Sequence, residues 1–554
     1  MAKAHSYSSS SIDTNSGFCS ETKIYHSLRP NAPLPTETTP LSVTDHVFSL
    51  LLQQPSPSLE TTTSASALID AATRQCISYS ELVLRVNSLA ASLQDQIGLA
   101  KGDSAFILSP NSVHVPILHL CLFSIGVIVS PSNPTSSKPE ISRQIELSKP
   151  VIAFATSDTA HKVPSLRYRT IFLDSPEFES MSTSQIGRFR RLNILQSEPA
   201  AILFSSGTTG KTKGVVLTHR NIISMLAVAQ AGRPVRSTPA VGLCTVPCFH
   251  VYGFIYCVRA MSLGDSMVSM QRFDLRLMLR AIQEFRVTHL ALAPPVAVAM
   301  VKDCDVLNGY DLSSLEVVAS GGAPLADSVI KRLTKRLPNL HVVQAYGLTE
   351  STGGVTRTIG PKECQILGSA GRLIPNCQAK IVNPDTASDL PPFKIGEFWV
   401  RGPCIMKAYV GDEEATAAVL DSEGWLRSGD LCYFDSEGYL FYVDRIKELI
   451  KYKGYQVAPA ELEHLLHSHP DIVDAAVIPY PDEEAGQVPV AFVVRRLEST
   501  IDESQIMNFV AKQVAPHKKI RLVSFVDSLP RNAPGKVLRK ELIKLALSNT
   551  ASKL

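Results

Sequence analysis

The chain has 554 residues, too many for one compact domain of about 100–200 residues, so several packed units are expected. Hydrophobic residues make up 45% and charged residues 19%, a globular composition that excludes a disordered or collagenous chain. Lys and Arg total 54 against 51 Asp and Glu, a net charge of only +3, so no global field holds nucleic acid or an anionic membrane, and any anionic partner must meet a local site. The 11 cysteines form no CxxC pair and no Cys/His cluster at metal-ligand spacing, which suits a reducing compartment in which thiols act as small apolar residues.

In chain order, residues 1–40 are rich in Ser, Thr and Pro and read as a flexible arm. Residues 1–11 lack the apolar stretch of a secretory signal. From 41 to 446, helical stretches such as 80–96 alternate with β-branched runs at 104–108, 151–155 and 171–173. That alternation predicts an α/β body, large and multi-layered, with largely parallel sheets. The longest apolar run, 115–131, contains His119 and two prolines and falls short of the about 20 apolar residues of a bilayer span; it reads as a buried helix running into a buried strand.

Residues 447–554 have the texture of a small, mobile α+β domain. The expected elements are a strand at 439–443 leading in, then a helix at 459–467, strands at 473–478 and 489–494, a helix at 503–511, a strand at 522–525 and a helix at 537–546. The polar segment Asp444-Arg445-Ile446-Lys447 is the expected hinge. The closing Ser552-Lys553-Leu554 reads as a peroxisomal address, which predicts an import receptor as partner.

The most informative stretch is PAAILFSSGTTGKTKGVVLTH at 199–219. An apolar strand runs into ten residues of Ser, Gly, Thr and Lys, and a second strand follows. Hydroxyls, unhindered glycine amides and the ammonium groups of Lys211 and Lys213 suit phosphate oxygens. A P-loop would need glycine at 205, where Ser stands, and a helix afterwards, where the pattern is strand-like.

With SSGTTGKTKG, QAYGLTES at 344–351, GWLRSGDL at 424–431, VDRIKELIKYKGYQVAPAELE at 443–463 and APGKVLRK at 533–540, the chain resembles the adenylate-forming enzymes. These include acyl-CoA synthetases, 4-coumarate:CoA ligases and firefly luciferase. The resemblance covers the chain after the arm and is closest to plant peroxisomal 4-coumarate:CoA ligase-like proteins. It implies ATP, Mg²⁺ and coenzyme A as cofactors and a two-step reaction. The acid's carboxylate attacks the α-phosphate of ATP, giving acyl-adenylate and pyrophosphate, and CoA thiol then displaces AMP.

The same resemblance implies residue roles. Ser205, Ser206, Gly207, Thr208, Thr209 and Lys213 would hold the β- and γ-phosphates, Glu350 the magnesium, and Thr349 the α-phosphate. Gln344, Ala345 and Gly347, with Gly321, Gly322 and Ala323, would wall the adenine. Asp430 and Arg445 would bind ribose, Lys451 and Gln456 would lie near AMP, and Lys536 would neutralise the α-phosphate during adenylation. Lys447 would be the hinge, Arg272, Lys453 and Gly454 would meet CoA, and His250 and Tyr252 would close over the acyl carboxylate. Taken singly, most of these residues would be ordinary turn or surface groups.

The acyl pocket implied by the resemblance contains Val251, Tyr252, Tyr256, Gly322, Ala323, Gly347, Gly353 and Gly354. The coumarate enzymes usually carry a small polar residue in place of Tyr256 and a Pro-Val pair in place of Gly353-Gly354. These departures, with the peroxisomal ending, place medium- or long-chain fatty acids and cyclopentenone-octanoic jasmonate precursors ahead of phenylpropanoid acids of the 4-coumarate or cinnamate type. Luciferase-like oxidation of an acyl-adenylate and a catalytically silent scaffold are the alternative expectations.

Overall fold

A computed structural model of the protein describes residues 11–53, 66–184, 189–205, 212–302, 306–453, 455–532 and 535–551. Strand Pro199–Ser205 (β1) is buried from Ala200 to Leu203. It pairs antiparallel with Lys213–Thr218 (β2), with Ser205 opposite Lys213. Strands Ile128–Pro131, Ser104–Leu108, Ile152–Ala155 and Ile171–Phe172 extend this sheet in parallel, and Ala408–Tyr409 closes its β2 edge. Thr218 then starts helix His219–Ala231 (α1) through a reciprocal cap: its Oγ1 accepts from the Asn221 amide, and Asn221 Oδ1 accepts from the Thr218 amide.

A second sheet of fourteen strands has a parallel half and an antiparallel half. Strand Val241–Cys244 (β3) leads to helix Val251–Ser262 (α2), which packs on the parallel half beside His289–Leu292 (β4), Val317–Ser320 (β5) and His341–Leu348 (β6). Gly353–Arg357 (β7) follows β6 after residues 349–352 alone. That span allows an antiparallel neighbour but not the long crossover of a parallel one, and the pairing switches there. Leu426–Phe434 (β8) and Tyr439–Arg445 (β9) continue antiparallel. The mixed α/β architecture is as expected; the antiparallel half corrects the expectation of largely parallel sheets.

The flexible-arm expectation does not hold for residues 11–40. Tyr25–His26 pairs with Gln378–Val382 at the edge of the large sheet, and Tyr25 is wholly buried, stacked 4.4 Å from Phe434 between ring centroids. Arg29 adds an ion pair to Glu363 at 2.8 Å. A large aromatic side chain buried in the core outweighs the loose composition around it. The 115–131 run is helix His114–Ser124 followed by strand Ile128–Pro131, both largely buried. Among the described residues no helix is long and apolar enough to cross a membrane.

Beyond residue 449 a five-stranded sheet comprises Ile450–Tyr452, Tyr455–Val457, Ile472–Asp482, Gly486–Arg495 and Leu522–Phe525. Helices Pro459–Ser468 (α3) and Glu503–Ala511 bury Leu462, Leu466, Ile506 and Val510 on one face, and Arg539–Ala551 buries Leu542 on the other. The expected elements are all present, the central strands longer than the apolar runs alone predicted.

Candidate active site

The ends of β1 and β2 bring Ser205 and Lys213 together, while Ser206, Gly207, Thr208 and Thr209 lie outside the described residues. Glu350 sits on the turn Thr349–Ser351 immediately after β6. Ser205 Oγ and Tyr409 Oη each donate to Glu350 Oε1 at 2.9 Å. Lys213 Nζ stands 4.4 Å from the Tyr409 ring centroid, a cation–π contact. Two hydroxyls thus orient one carboxylate oxygen, and among the described residues Oε2 accepts no hydrogen bond. That donor set fits a hard divalent cation, for which a single carboxylate suffices when waters complete the shell. Tyr409 was not anticipated, because a tyrosine in KAYVGD carries no sequence signal of its pairing with β2.

Asp430 on β8 lies opposite Arg445 on β9, with Oδ1 3.3 Å from Arg445 Nε, and Tyr346 Oη donates to Oδ2 at 2.7 Å. Burial pushes the Asp430 carboxyl up, against the opposing pull of Arg445 and Tyr346. Along β6 the side chains alternate: Tyr346 turns to Asp430, while Ala345 and Gly347 are exposed on the other face. A Cβ at Gly347 would lie 1.9 Å from the Gly353 carbonyl, so glycine is required there. Gly321, Gly322 and Ala323 follow β5 next to β6. Gln344 Nε2 is a buried donor without a partner among the described residues, which suits the acceptor edge of a base.

Lys536 follows Gly535, whose φ of +90° and closeness to Pro295, 3.1 Å from a would-be Cβ to Pro295 Cδ, both favour glycine. That contact docks the loop onto the large body. Asn532 Oδ1 accepts from the Lys536 amide at 2.7 Å, and Arg531 donates to the Gly535 carbonyl at 2.7 Å. Pro534, the departure from the family pattern, lies outside the described residues. Lys536 Nζ is 3.6 Å from Glu448, which also pairs with Arg539 at 2.8 Å. Burial, then the Arg445 charge, push the Lys536 ammonium down, and burial with Arg445 and Lys536 brings Lys447 to about 8. Asp430, Arg445, Lys447, Glu448 and Lys536 therefore form one electrostatic group.

The positions assigned to CoA are not joined in this arrangement. Arg272 is exposed before helix Leu275–Phe285, and Lys453 is exposed, 3.9 Å from Glu484. No interaction links the two among the described residues, and Gly454 lies outside them. Lys451 and Gln456 face each other across a hairpin, both exposed.

At the acyl end His250 caps α2: its Nδ1 accepts from the Tyr252 amide at 3.3 Å. Burial lowers His250 to about 4, so the ring is neutral and its proton resides on Nε2. Tyr252 Oη donates to the Ala319 carbonyl at 2.7 Å. A small cavity is lined by His250, Tyr252, Gly321 and Gly322 together with Val246 and Pro247, two residues the sequence did not single out. Val251 packs into the main core. Tyr256 Oη donates to the His289 carbonyl at 3.4 Å and occupies the space left by Gly242. A Cβ at Gly354 would meet nothing closer than 3.7 Å, and one at Gly353 nothing closer than Ile255 at 4.0 Å. Behind this wall the thiols of Cys244, Cys248 and Cys257 lie within 4.8 Å of one another, correcting the expectation that the cysteines do not cluster.

The ionic groups Glu350, Asp430, Arg445 and Lys536 thus gather at one end of the site, and the neutral His250 stands beside a small apolar cavity at the other. The AMP-binding enzyme family matches residues 57–410, the AMP-binding enzyme C-terminal domain matches 461–536, and the chain belongs to this adenylate-forming family. It is 49% identical to 4-coumarate--CoA ligase-like 9 of Arabidopsis thaliana, over 98% of both chains. Identity to Peroxisomal OPC-8:0-CoA ligase 1 of the same plant is 42%, over 98% of this chain and 99% of that one. O-succinylbenzoate coenzyme A synthetase from Bacillus subtilis, in complex with ATP and magnesium ion, superposes with a TM-score of 0.76 at 26% identity, over 90% of this chain and 99% of that one. The protein is an acid–thiol ligase that uses ATP, Mg²⁺ and coenzyme A.

Proposed function

We propose that the protein joins a lipid-like acid to coenzyme A in the peroxisome: a medium- or long-chain fatty acid or a cyclopentenone-octanoic acid of the jasmonate-precursor type, with cinnamate-type acids ranked after them. The observation that carries this reading is the pair Gly353 and Gly354, where a Cβ would make only ordinary contacts, to Ile255 Cγ1 at 4.0 Å and to the Thr356 carbonyl at 3.7 Å. The name of the peroxisomal relative supports the location.

In this proposal the Nε2–H of His250 donates a hydrogen bond to one carboxylate oxygen of the acid, and the other oxygen attacks the α-phosphorus. Lys536 and Thr349 face the charge that develops there, and Arg445 stands with Asp430 at the ribose. Ser205 and Lys213, with residues Ser206, Gly207, Thr208 and Thr209, hold the departing pyrophosphate. Glu350, oriented by Ser205 and Tyr409, holds magnesium, which supplies positive charge against the phosphate oxygens. Asp430 accepts from the ribose hydroxyls, while Gln344, Ala345 and Gly347 wall the base with Gly321, Gly322 and Ala323. Lys451 and Gln456 stand near AMP. Residues 447–554 then turn about Lys447, withdrawing Lys536 and presenting Lys453 and Gly454 to pantetheine, with Arg272 at the CoA phosphates.

The test is incubation with ATP, Mg²⁺ and a panel of acids, with and without CoA, reading pyrophosphate and thioester by mass spectrometry. Thioester from lipid-like acids is expected. Thioester from cinnamate-type acids alone would overturn the substrate ranking, and pyrophosphate without thioester from every acid would point to another acyl acceptor.

A further inference from the structure

Glu448, on the turn Ile446–Glu448 directly after β9, serves two cations with its two oxygens. Oε1 lies 3.6 Å from Lys536 Nζ, and Oε2 accepts from Arg539 Nη1 at 2.8 Å. Arg539 is itself held at every nitrogen. Its Nε donates to the Val477 carbonyl at 3.2 Å, and its Nη2 donates to both oxygens of Glu463 at 2.7 and 2.9 Å, which leaves Nη1 aimed at Glu448. Glu463 on α3 is fixed in turn, because its Oε1 also accepts from the Val477 amide at 2.8 Å. A planar guanidinium gripped at three points keeps one orientation. The place of the Glu448 carboxylate is therefore set by the small domain's helix and sheet as well as by its own backbone.

Lys536 meets Glu448 more loosely. A separation of 3.6 Å makes an ion pair but is too long for a tight hydrogen bond, and the lysine side chain is 30% exposed, against 17% for Glu448. An ammonium held in this way can turn to a phosphate oxygen without first breaking a short bond. The charged groups around it are Asp430 on β8, Arg445 on β9, Lys447 and Glu448 on the turn, and Arg539 at the start of the last helix. Burial, Arg445 and Arg539 disfavour the ammonium, while Glu448 and Asp430 favour it. Of these two carboxylates Asp430 is already engaged by Arg445 and Tyr346, so Glu448 is the one left to set the lysine.

We propose that Glu448 is a positioning residue for the first half-reaction: clamped by Arg539, it holds the Lys536 ammonium toward the nucleotide site until the α-phosphate replaces it as partner. The inference rests on the role proposed for Lys536 in the acyl-CoA ligase reading and adds the residue through which that lysine acts. Glu448 and Lys536 both lie within residues 447–554, so the pair travels together when those residues turn about Lys447, whereas Asp430 and Arg445 stay behind.

Two measurements on the whole chain test this. In the first, acetylation of Lys536 by trace acetic anhydride is followed against pH by mass spectrometry, without substrates. Removing the Glu448 charge in E448Q should move the Lys536 titration down by about one pH unit, because the ammonium then faces Arg445 and Arg539 with less compensation. In the second, acid-driven exchange of pyrophosphate with ATP is measured for E448Q, K536A and the double variant, using the same panel of acids. E448Q should lower kcat about ten- to a hundredfold with KM for ATP little changed, and the alkaline limb of its pH profile should move down with the lysine. In the K536A background the same substitution should change the rate less than about twofold, because Glu448 acts through the lysine. R539K, which keeps the charge and loses the fork, should show a smaller fall of the same kind. If E448Q does not fold, E448D takes its place; it should keep the lysine's titration and lower the exchange rate. An unshifted Lys536 titration in E448Q, an unchanged exchange rate in E448D, or equal rate losses from E448Q with and without the Lys536 side chain overturns the inference. If no acid drives exchange in the wild type the ligase reading falls, and the acetylation titration still decides whether Glu448 governs Lys536.

Discussion

The two ends of the active site are built differently. At the end proposed for the nucleotide the described ionic groups hold one another: Asp430 with Arg445 and Tyr346, Glu350 with Ser205 and Tyr409, Lys536 with Glu448. At the end proposed for the acid, shape dominates, in Gly353, Gly354, Tyr256 and a neutral His250. Every substrate brings the same nucleotide, so that end can be preorganised in full. The acid is the partner that differs from one such enzyme to another, so the other end is set by shape.

The comparison breaks most readily at Lys536. Lys536→Ala should lower pyrophosphate release about 10²–10³-fold, the scale of one preorganised electrostatic contact, while leaving thioester formation from supplied acyl-adenylate much less affected. Unchanged pyrophosphate release would remove Lys536 from the first step. Gly347→Ala comes next: its Cβ would sit 1.9 Å from the Gly353 carbonyl, and the forced shift should cost about 1–3 kcal/mol, visible as a lower Tm. Tyr409→Phe deletes one of two donors to Glu350 and should lower adenylation about tenfold, as for a hydrogen bond to a charged group. A magnesium titration should show a raised requirement in that variant, and an unaltered titration would separate Tyr409 from the metal.

Smaller effects sharpen the contrast. Asp444 accepts from the Arg445 and Ala460 amides, yet burial raises its carboxyl from 3.8 to about 6. Between those values the folded chain keeps a proton that the unfolded chain has released, so this group's contribution to stability falls as pH rises through the window. Asp444→Asn should flatten the slope of Tm against pH from about 4 to about 6; an identical slope would contradict the assignment. Gly354→Ala, with no atom within 3.7 Å of the new Cβ, should change stability by less than about 0.5 kcal/mol. Its effect should appear as a modest shift in the preferred acid, read from kcat/KM across a length series.

What could be read in the sequence follows the same division. The polar residues of the nucleotide end stand in contiguous motifs, so Ser205, Glu350, Asp430, Arg445 and Lys536 were all identifiable before their convergence was visible. Their supports were not. Tyr409 meets Glu350 through a two-residue strand, and Tyr346 and Glu448 act across neighbouring elements. The acyl end was legible only as departures at Tyr256, Gly353 and Gly354. The N-terminal arm misled for a related reason: Ser- and Pro-rich text hides the single Tyr25 that ties it to the sheet.

The most direct measurement is acid-dependent exchange of labelled pyrophosphate into ATP with CoA left out. An enzyme whose first step is completed by Lys536, Arg445, Asp430 and Glu350 exchanges label as soon as a suitable acid is added, and Lys536→Ala suppresses the exchange. Exchange that requires CoA, or that proceeds equally in the Lys536→Ala variant, would contradict an adenylate formed at this site.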